Sequence, residues 1–509
     1  MEQTRTNAYG RWAIGLVLVL GWSILMLLPP TQAHAERTIF LPIIHKIDPP
    51  GPPKPFGVEM SPGRISNTTL QQRTTELGPR WLRLKSVHWR NVQPEESLPV
   101  EQWKWEELAT FEAEVLKANE LGLTPISIVF QNPDWATGTY ENPFTGEVEH
   151  APCGAIKSEY LDEFATFMEE VVKRYSVEPY NVHYWEFGNE PDVDPRINAP
   201  SEGAAVNLQE HFGCWGDRED EYYGGKHYGE MLKTVAPAIR AVDADAKIMI
   251  GGLLLDSPET TDPSKGKPEL FLKGILEAGA ASSFDILPFH AYPYYDWANG
   301  GSQYDSDLNN ENWASRGGVT LGKIAYIKQM LSDYGVTKPL FLDEAAMLLY
   351  LGAGSPGYSD DEIPEDFLNA QADHVVRQLA RSLSQGVEGY CWYTIHKSSW
   401  HYSGLLNGDY TPRPVYTAYQ HFIARTGNVT SYNATTVDYG SGVEAYRFPT
   451  RSGAVDVLWS QDATADTVTI PTSNFVAAYD RAGAAISADT SGDQVSLSAT
   501  ISPIYVVQK

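Results

Sequence analysis

From position 56 onward the chain alternates short apolar runs with longer stretches in which apolar residues recur at helical spacing. The runs FGVEM (56–60), WLRLKS (81–86), TPISIVF (124–130), VHYWEFG (182–188), KIMIGGLLL (247–255), FDILPFHAY (284–292), PLFLDEA (339–345) and GVEGYCWYT (386–394) predict eight strands. Between them the clearest helical pattern puts Leu161, Phe164, Met168, Val171 and Tyr175 on one face. Several runs are apolar at nearly every position, as expected of strands in a parallel sheet that helices cover on both faces. Strand and helix in alternation over 56–427 predict a (β/α)8 TIM barrel with long loops. An open doubly wound sheet is the alternative, but it calls for a glycine-rich phosphate turn after the first strand, and FGVEMSPG has none.

After about position 430 the period changes to two. The runs VEAYRF, AVDVLWS, DTVTIP, FVAAYD, DQVSLSA and PIYVVQ, separated by Gly, Asp, Ser and Thr, predict a small antiparallel β-sandwich over 428–509. At the other end, Arg5 and Arg11 precede an apolar run from Trp12 to Leu28 and the small-residue sequence Ala33-His34-Ala35. Residues 1–35 are therefore expected to be a secretory signal cleaved before Glu36. The alternative is an uncleaved, outward-facing membrane anchor, since the run approaches the length that spans a bilayer. Either way the bulk of the chain is expected to be exported. A proline-rich linker over 36–55 joins this segment to the barrel.

Charge narrows the partners. With 38 Lys and Arg against 65 Asp and Glu, the 509-residue chain carries a formal charge of -27, which repels phosphate backbones and anionic lipid surfaces. Nucleic acid is excluded as an expected partner, and membrane association is expected only if the N-terminal segment is retained. Aromatic residues make up 12% of the chain, with 14 Trp and 28 Tyr, a supply of flat rings that suits sugar binding. Of the three cysteines, Cys153 and Cys214 sit in loop sequence and are expected to form a disulfide, with Cys391 a buried free thiol. Zinc-type Cys and His spacings are absent, and no metal or organic cofactor is expected.

In a barrel of this kind the reactive groups gather at the C-terminal ends of the strands. Those ends carry Trp89, Trp135, Asn189, Glu190, His290, Tyr292, Asp343, Glu344 and Trp392. WEFGNEP around Glu190, PLFLDEAA around Glu344, Arg83 in WLRLK, NPDWA, FHAY and CWYT together resemble a clan A glycoside hydrolase, the superfamily with its acid/base on strand 4 and its nucleophile on strand 7. The trailing GLLNGDYTPRPVYTAYQ and sandwich are most similar to family 39, and a family 5-like enzyme is the alternative. The resemblance implies that Glu190 is the acid/base, Glu344 the nucleophile, Asn189 a ligand of the adjacent sugar hydroxyl and Trp392 the floor beneath that sugar. It implies a secreted retaining β-glycosidase acting on a polysaccharide or oligosaccharide. A catalytically silent carbohydrate-binding barrel and a barrel metallohydrolase are the other classes.

The residue chemistry fits that assignment. Cleavage passes through a cationic sugar, so one carboxyl must protonate the departing oxygen while an ionised one attacks the anomeric carbon, the two about 5–5.5 Å apart in the retaining case. Arg83 and Tyr292 are expected to hold Glu344 ionised. Glu186, within strand 4, is expected to point into the barrel and pair with a buried cation. Asp343 competes with Glu344, because alternation along a strand sends only one of two neighbours toward the sugar. His290 is expected to hydrogen bond near the site. Trp89, Trp135, Trp215, Tyr294, Trp297 and Trp400 are sugar platforms or loop packing, Trp89 and Trp135 being placed with the substrate-binding set, whereas Trp459 is expected to be structural.

Overall fold

The computed structural model describes residues 51–197, 213–262, 266–296, 301–351, 357–398 and 400–509. The expected signal or anchor, most of the linker and Trp297 lie outside the described residues. Residues 51–509 form one compact unit, and no described helix is long and apolar enough to cross a membrane.

Eight parallel strands form the barrel: β1 (Phe56–Met60), β2 (Trp81–His88), β3 (Thr124–Phe130), β4 (Tyr184–Asn189), β5 (Lys247–Gly252), β6 (Leu287–Ala291), β7 (Leu340–Ala345) and β8 (Gly389–Trp392). Each is hydrogen bonded to its sequence neighbour, β8 returns to β1, and single bridges from Met249 to Ile286 and from Leu253 to Phe289 close β5 onto β6. The open doubly wound alternative is thereby set aside. Outside the strands run α1 (Thr68–Leu77), α2 (Ala109–Glu120), α3 (Leu161–Tyr175), α4 (Gly225–Val242), α5 (Phe271–Glu277), α6 (Val319–Asp333), α7 (Glu365–Ser384) and α8 (Pro414–Arg425). All five apolar residues expected on one face of α3 are buried, so the helical period does mark the side that meets the sheet.

The barrel interior is layered from floor to mouth. At the floor Trp81, Ile126, Met249, Ile286, Phe341 and Cys391 pack together with Tyr184. One step up on β2 and β4 the apolar layer gives way to charge: Arg83 follows Trp81 and Glu186 follows Tyr184 at a spacing of two, the period that keeps side chains on one face. A further step along β2 brings Lys85 to the mouth.

Beyond α8 the chain forms the expected antiparallel sandwich. Its strands are β9 (Thr435–Thr436), β10 (Val443–Thr450), β11 (Gly453–Ser460), β12 (Asp466–Pro471), β13 (Phe475–Asp480), β14 (Asp489–Ser491), β15 (Gln494–Ala499) and β16 (Ile504–Gln508). One sheet runs β9-β10-β11-β16-β13 and the other β12-β15-β14. Leu458, Val506 and Ala478 from the first meet Val468, Ile470 and Leu497 from the second in a shared core. The sandwich is tied to α7 by bidentate bonds from Arg381 to Glu444 at 2.8 and 2.7 Å and by Arg481 to Asp373 at 2.7 Å. Trp459 is fully buried at this seam with Arg381 over its ring, so it packs the joint, as expected.

Candidate active site

Two backbone departures shape the end of β4. Gly188 has φ 81° and Glu190 φ 52°, both in the left-handed region, which glycine occupies freely and glutamate only at a cost in strain. The Glu190 amide is anchored by donating to the carbonyl of Gly252 at 3.0 Å. Gly252 itself has no room for a side chain, since a Cβ there would collide with Nε2 of His290.

On the opposite wall the register of β7 shifts against both neighbours. Phe289 pairs with Leu342 and His290 with Glu344, while Tyr390 pairs with Leu342 and Trp392 with Ala345. The extra residue is a bulge at Asp343 and Glu344, and a bulge re-aims side chains that strict alternation would send to opposite faces. Alternation was expected to send only one of these acids toward the sugar. The bulge turns both inward, but at different depths, Asp343 lying 3.3 Å from Nε of Arg83 and 3.6 Å from Nε2 of His290 while Glu344 alone of the two stands nearer the mouth.

The two candidate acids meet across the mouth. Carboxyl oxygens of Glu190 and Glu344 and a ring nitrogen of His290 all lie within 4.8 Å of one another, and all three side chains are buried. His290 Nδ1 shares a hydrogen bond with Glu190 Oε1 at 2.7 Å and sits 3.5 Å from Glu344 Oε2. Tyr292 donates its phenol hydrogen to Glu344 Oε2 at 2.5 Å. Glu344 Oε1 accepts from Lys85 Nζ at 2.7 Å and from Arg83 Nη1. Beneath them the Arg83 guanidinium is saturated, donating to Glu186 at 3.0 and 2.6 Å, to Glu59 at 2.5 Å and to Asn189 Oδ1 at 2.9 Å. The inward, cation-paired placement expected of Glu186 is what the structure shows, and Arg83 and Tyr292 reach Glu344 as expected.

Lys85, Glu59 and Asp192 are charged site residues that sequence reasoning missed. Lys85 was legible in WLRLK as the third inward position of β2, two residues beyond Arg83; it bridges Glu344 to Glu59, 3.0 Å away. Asp192 carried no signal of its own. It accepts from the amides of Leu254 and Leu255 at 2.9 and 2.7 Å behind Glu190.

This packing separates the two acids electrostatically. Burial, then the charges of Glu344 and Asp192, push Glu190 well above the ordinary carboxylate range, so it keeps its proton. Burial also opposes ionisation of Glu344, but facing positive charge outweighs it and holds the group well below its ordinary value. His290 is itself held neutral by burial and by nearby Arg83 and Lys85, so those two permanent cations carry the effect on Glu344. Asp343 is raised by burial and Glu186, and burial with Glu344 brings Glu59 up to about 7 against the pull of Lys85. Glu190, His290 and Glu344 are the described residues whose donors could converge on a metal ion. With Lys85 and Arg83 already seated on Glu344, an added dication there would meet two fixed positive charges at contact distance.

The aromatic candidates separate sharply. Trp392 is fully buried, donates its indole hydrogen to the carbonyl of Ser403 at 2.7 Å and packs against His374 of α7. It faces the helices, which corrects its assignment as the sugar floor. Cys391 points to the barrel floor, and alternation returns Tyr393 to the interior, where its ring lies 5.2 Å from Lys85 Nζ and 6.3 Å from the Tyr292 ring. Trp89 is also fully buried, bonded through Nε1 to Gln93 at 2.9 Å and packed between Trp135 and Phe164. Trp135 is wedged between Trp89 and Tyr160, and Trp215 packs on Tyr228. These three pack loops, correcting the placement of Trp89 and Trp135 against substrate, while Tyr294 and Trp400 remain exposed.

Cys153 and Cys214 are buried side by side with their sulfurs 2.6 Å apart. They stand as two thiols in contact, an adjacency that the expected pairing requires. Cys391 is buried elsewhere, in the barrel floor.

No protein-family model matches the chain, and no curated protein matches its sequence. Solved structures match its fold. A family 39 glycoside hydrolase from the gut symbiont Bacteroides cellulosilyticus WH2 superposes with a TM-score of 0.60 at 17% identity, over 89% of this chain and 81% of that one. A family 30 endoxylanase from Clostridium papyrosolvens C71 gives 0.53 at 13% identity, over 90% and 98%. A family 39 β-xylosidase from Caulobacter crescentus gives 0.52 at 13% identity, over 90% and 96%. The structural neighbours of this protein are thus glycoside hydrolases of clan A, and what it shares with them is the fold, over 89–90% of this chain.

Proposed function

We propose that the protein is an exported retaining β-glycosidase that cleaves an oligosaccharide or polysaccharide by double displacement. The observation that carries this reading is the approach of Glu190 and Glu344 to within 4.8 Å between carboxyl oxygens, the short spacing of the retaining geometry. An inverting enzyme needs about 6.5–9.5 Å to admit water between its acids.

In the first half-reaction a Glu344 oxygen bonds to the anomeric carbon as the bond to the departing oxygen breaks, and that oxygen takes the proton of Glu190. In the second, Glu190, now a carboxylate, removes a proton from water; the water oxygen bonds to the anomeric carbon and Glu344 leaves. Tyr292, Lys85 and Arg83 hold Glu344 in one orientation throughout. Asn189, which accepts from Arg83, would meet a sugar hydroxyl next to the reacting carbon, and Tyr393 would line the wall where Trp392 was expected. Export rests on the N-terminal sequence, and it suits closure of Cys153 and Cys214 into a disulfide.

The test is turnover of aryl β-glycosides by the wild type and by Glu190→Gln and Glu344→Gln, both expected to fall by about 10²–10⁴-fold with the fold retained. Azide is expected to restore Glu190→Gln on substrates with good leaving groups. Near-normal turnover in either variant would overturn the assignment. A wild type that binds glycans without cleaving any would favour the silent binding barrel.

A further inference from the structure

Among the described residues five aromatic side chains are strongly exposed. One, Phe144, lies on the excursion after β3; the other four, Tyr294, Tyr350, Tyr358 and Trp400, lie on the loops after β6, β7 and β8. Three of these four connect ring to ring with the reacting centre. The Tyr292 ring, whose hydroxyl holds Glu344, is 5.2 Å from the Trp400 ring, which is 5.3 Å from Tyr393 and 5.1 Å from His401. His401 in turn is 5.7 Å from Tyr294 and 6.0 Å from Tyr350.

The loops beneath this ridge are not free to fold its rings away. Tyr294 pairs with Leu348 in a parallel bridge, the Tyr295 amide donates to Leu348 at 2.7 Å, and the Leu348 amide donates to Pro293 at 3.0 Å. The Leu349 amide donates to His401 at 3.0 Å, and buried Gln371 of α7 donates to the carbonyls of Met347 and Tyr402. Barrel pairing therefore continues past the mouth and holds Tyr294, Tyr350 and Trp400 outward at 47, 57 and 41% exposure. Apolar surface held in water by a rigid support marks a place where something binds.

Resting on the glycosidase reading of the site, we propose that Trp400, Tyr294 and Tyr350 form a platform for further pyranose units of an uncharged glycan chain, continuous with the sugar held between Glu190 and Glu344. A pyranose has a face of C–H groups that packs on an aromatic ring while its equatorial hydroxyls stay in water, and amphipathic Tyr and Trp rings suit that division. The charge of -27 on the protein disfavours a polyanionic chain over a neutral one. The substrate class is thus a neutral polysaccharide or its longer oligomers, gripped over several sugars.

The experiment compares kcat/KM on aryl β-glycosides with that on β-1,4-linked xylo-, gluco- and manno-oligosaccharides of increasing length, for wild type, Tyr350→Ala, Trp400→Ala and Trp400→Phe. In the wild type kcat/KM is expected to rise with chain length. The ratio of long-chain to aryl-glycoside kcat/KM is expected to fall about tenfold in the two alanine variants and to be largely kept in Trp400→Phe. Turnover of aryl glycosides with no dependence on length, or equal losses on short and long substrates, would overturn the platform and leave the glycosidase standing. Turnover of neither substrate class by the wild type would remove the glycosidase reading and the platform with it.

Discussion

Lys85 Nζ stands 2.7 Å from Oε1 of Glu344, the same oxygen that Arg83 takes from below. One carboxylate oxygen thus carries two cations, and the other is held by a phenol. Replacing Lys85 by Met removes a charge-assisted bond worth about 1.5–3 kcal/mol, so kcat/KM should fall about 10- to 100-fold. Because Lys85 helps keep Glu344 ionised, the acid limb of the pH profile should also move to higher pH, a displacement that mere loss of packing would not produce. Unchanged kcat/KM and an unmoved limb would show that Arg83 and Tyr292 suffice.

The pH dependence follows from the opposite shifts of the two acids. On the proposed mechanism Glu190 works protonated and its value is raised, so activity should be lost as pH climbs through it; Glu344 would work ionised and its value is lowered, so activity should be lost only as pH drops through it. The profile of kcat/KM should be flat across the mildly acidic range.

Stability should follow Glu190 too. Between its ordinary value of 4.5 and its raised native value, the folded state keeps a proton that the unfolded state has released. Stability therefore falls as pH rises through that window. Urea midpoints of Glu190→Gln should fall less steeply there than those of the wild type, and identical slopes would contradict the raised value.

Arg83 is a structural keystone as well as a partner of Glu344. Substitution by Met leaves Glu59, Glu186, Asp343 and Glu344 without the buried guanidinium they share, and breaking such a cluster costs about 3–5 kcal/mol. Denaturant unfolding should show this loss, and a midpoint within error of the wild type would refute it.

Tyr393 and Trp392 are neighbours with opposite duties. Tyr393→Ala should raise KM or lower kcat on every glycoside with little loss of stability, whereas Trp392→Ala should cost about 3–5 kcal/mol of stability, as large buried aromatics do. Kinetics and thermal melts on the two variants separate the roles, and the reverse pattern would restore Trp392 as the sugar floor.

Thiol labelling of the unfolded, unreduced protein should find one reactive group, Cys391. Three would show that Cys153 and Cys214, although in contact, do not bond.

The amino-acid sequence by itself determined the barrel, the sandwich and the strand ends that bear Glu190 and Glu344. Period-two and helical spacings are local consequences of backbone geometry, and strand ends point to one face of any such barrel. WLRLK even spelled out the inward ladder of Trp81, Arg83 and Lys85. Only the tertiary structure decided which ring lines the barrel mouth and how many acids turn inward. Alternation divides a strand into two faces without saying which is inward, and the bulge that turns Asp343 and Glu344 the same way arises from registers with β6 and β8, far apart in the chain. Whether a tryptophan is a platform or packing likewise depends on what stands opposite: Trp89 meets Phe164 and is buried, whereas Trp400, on its paired loop, meets water.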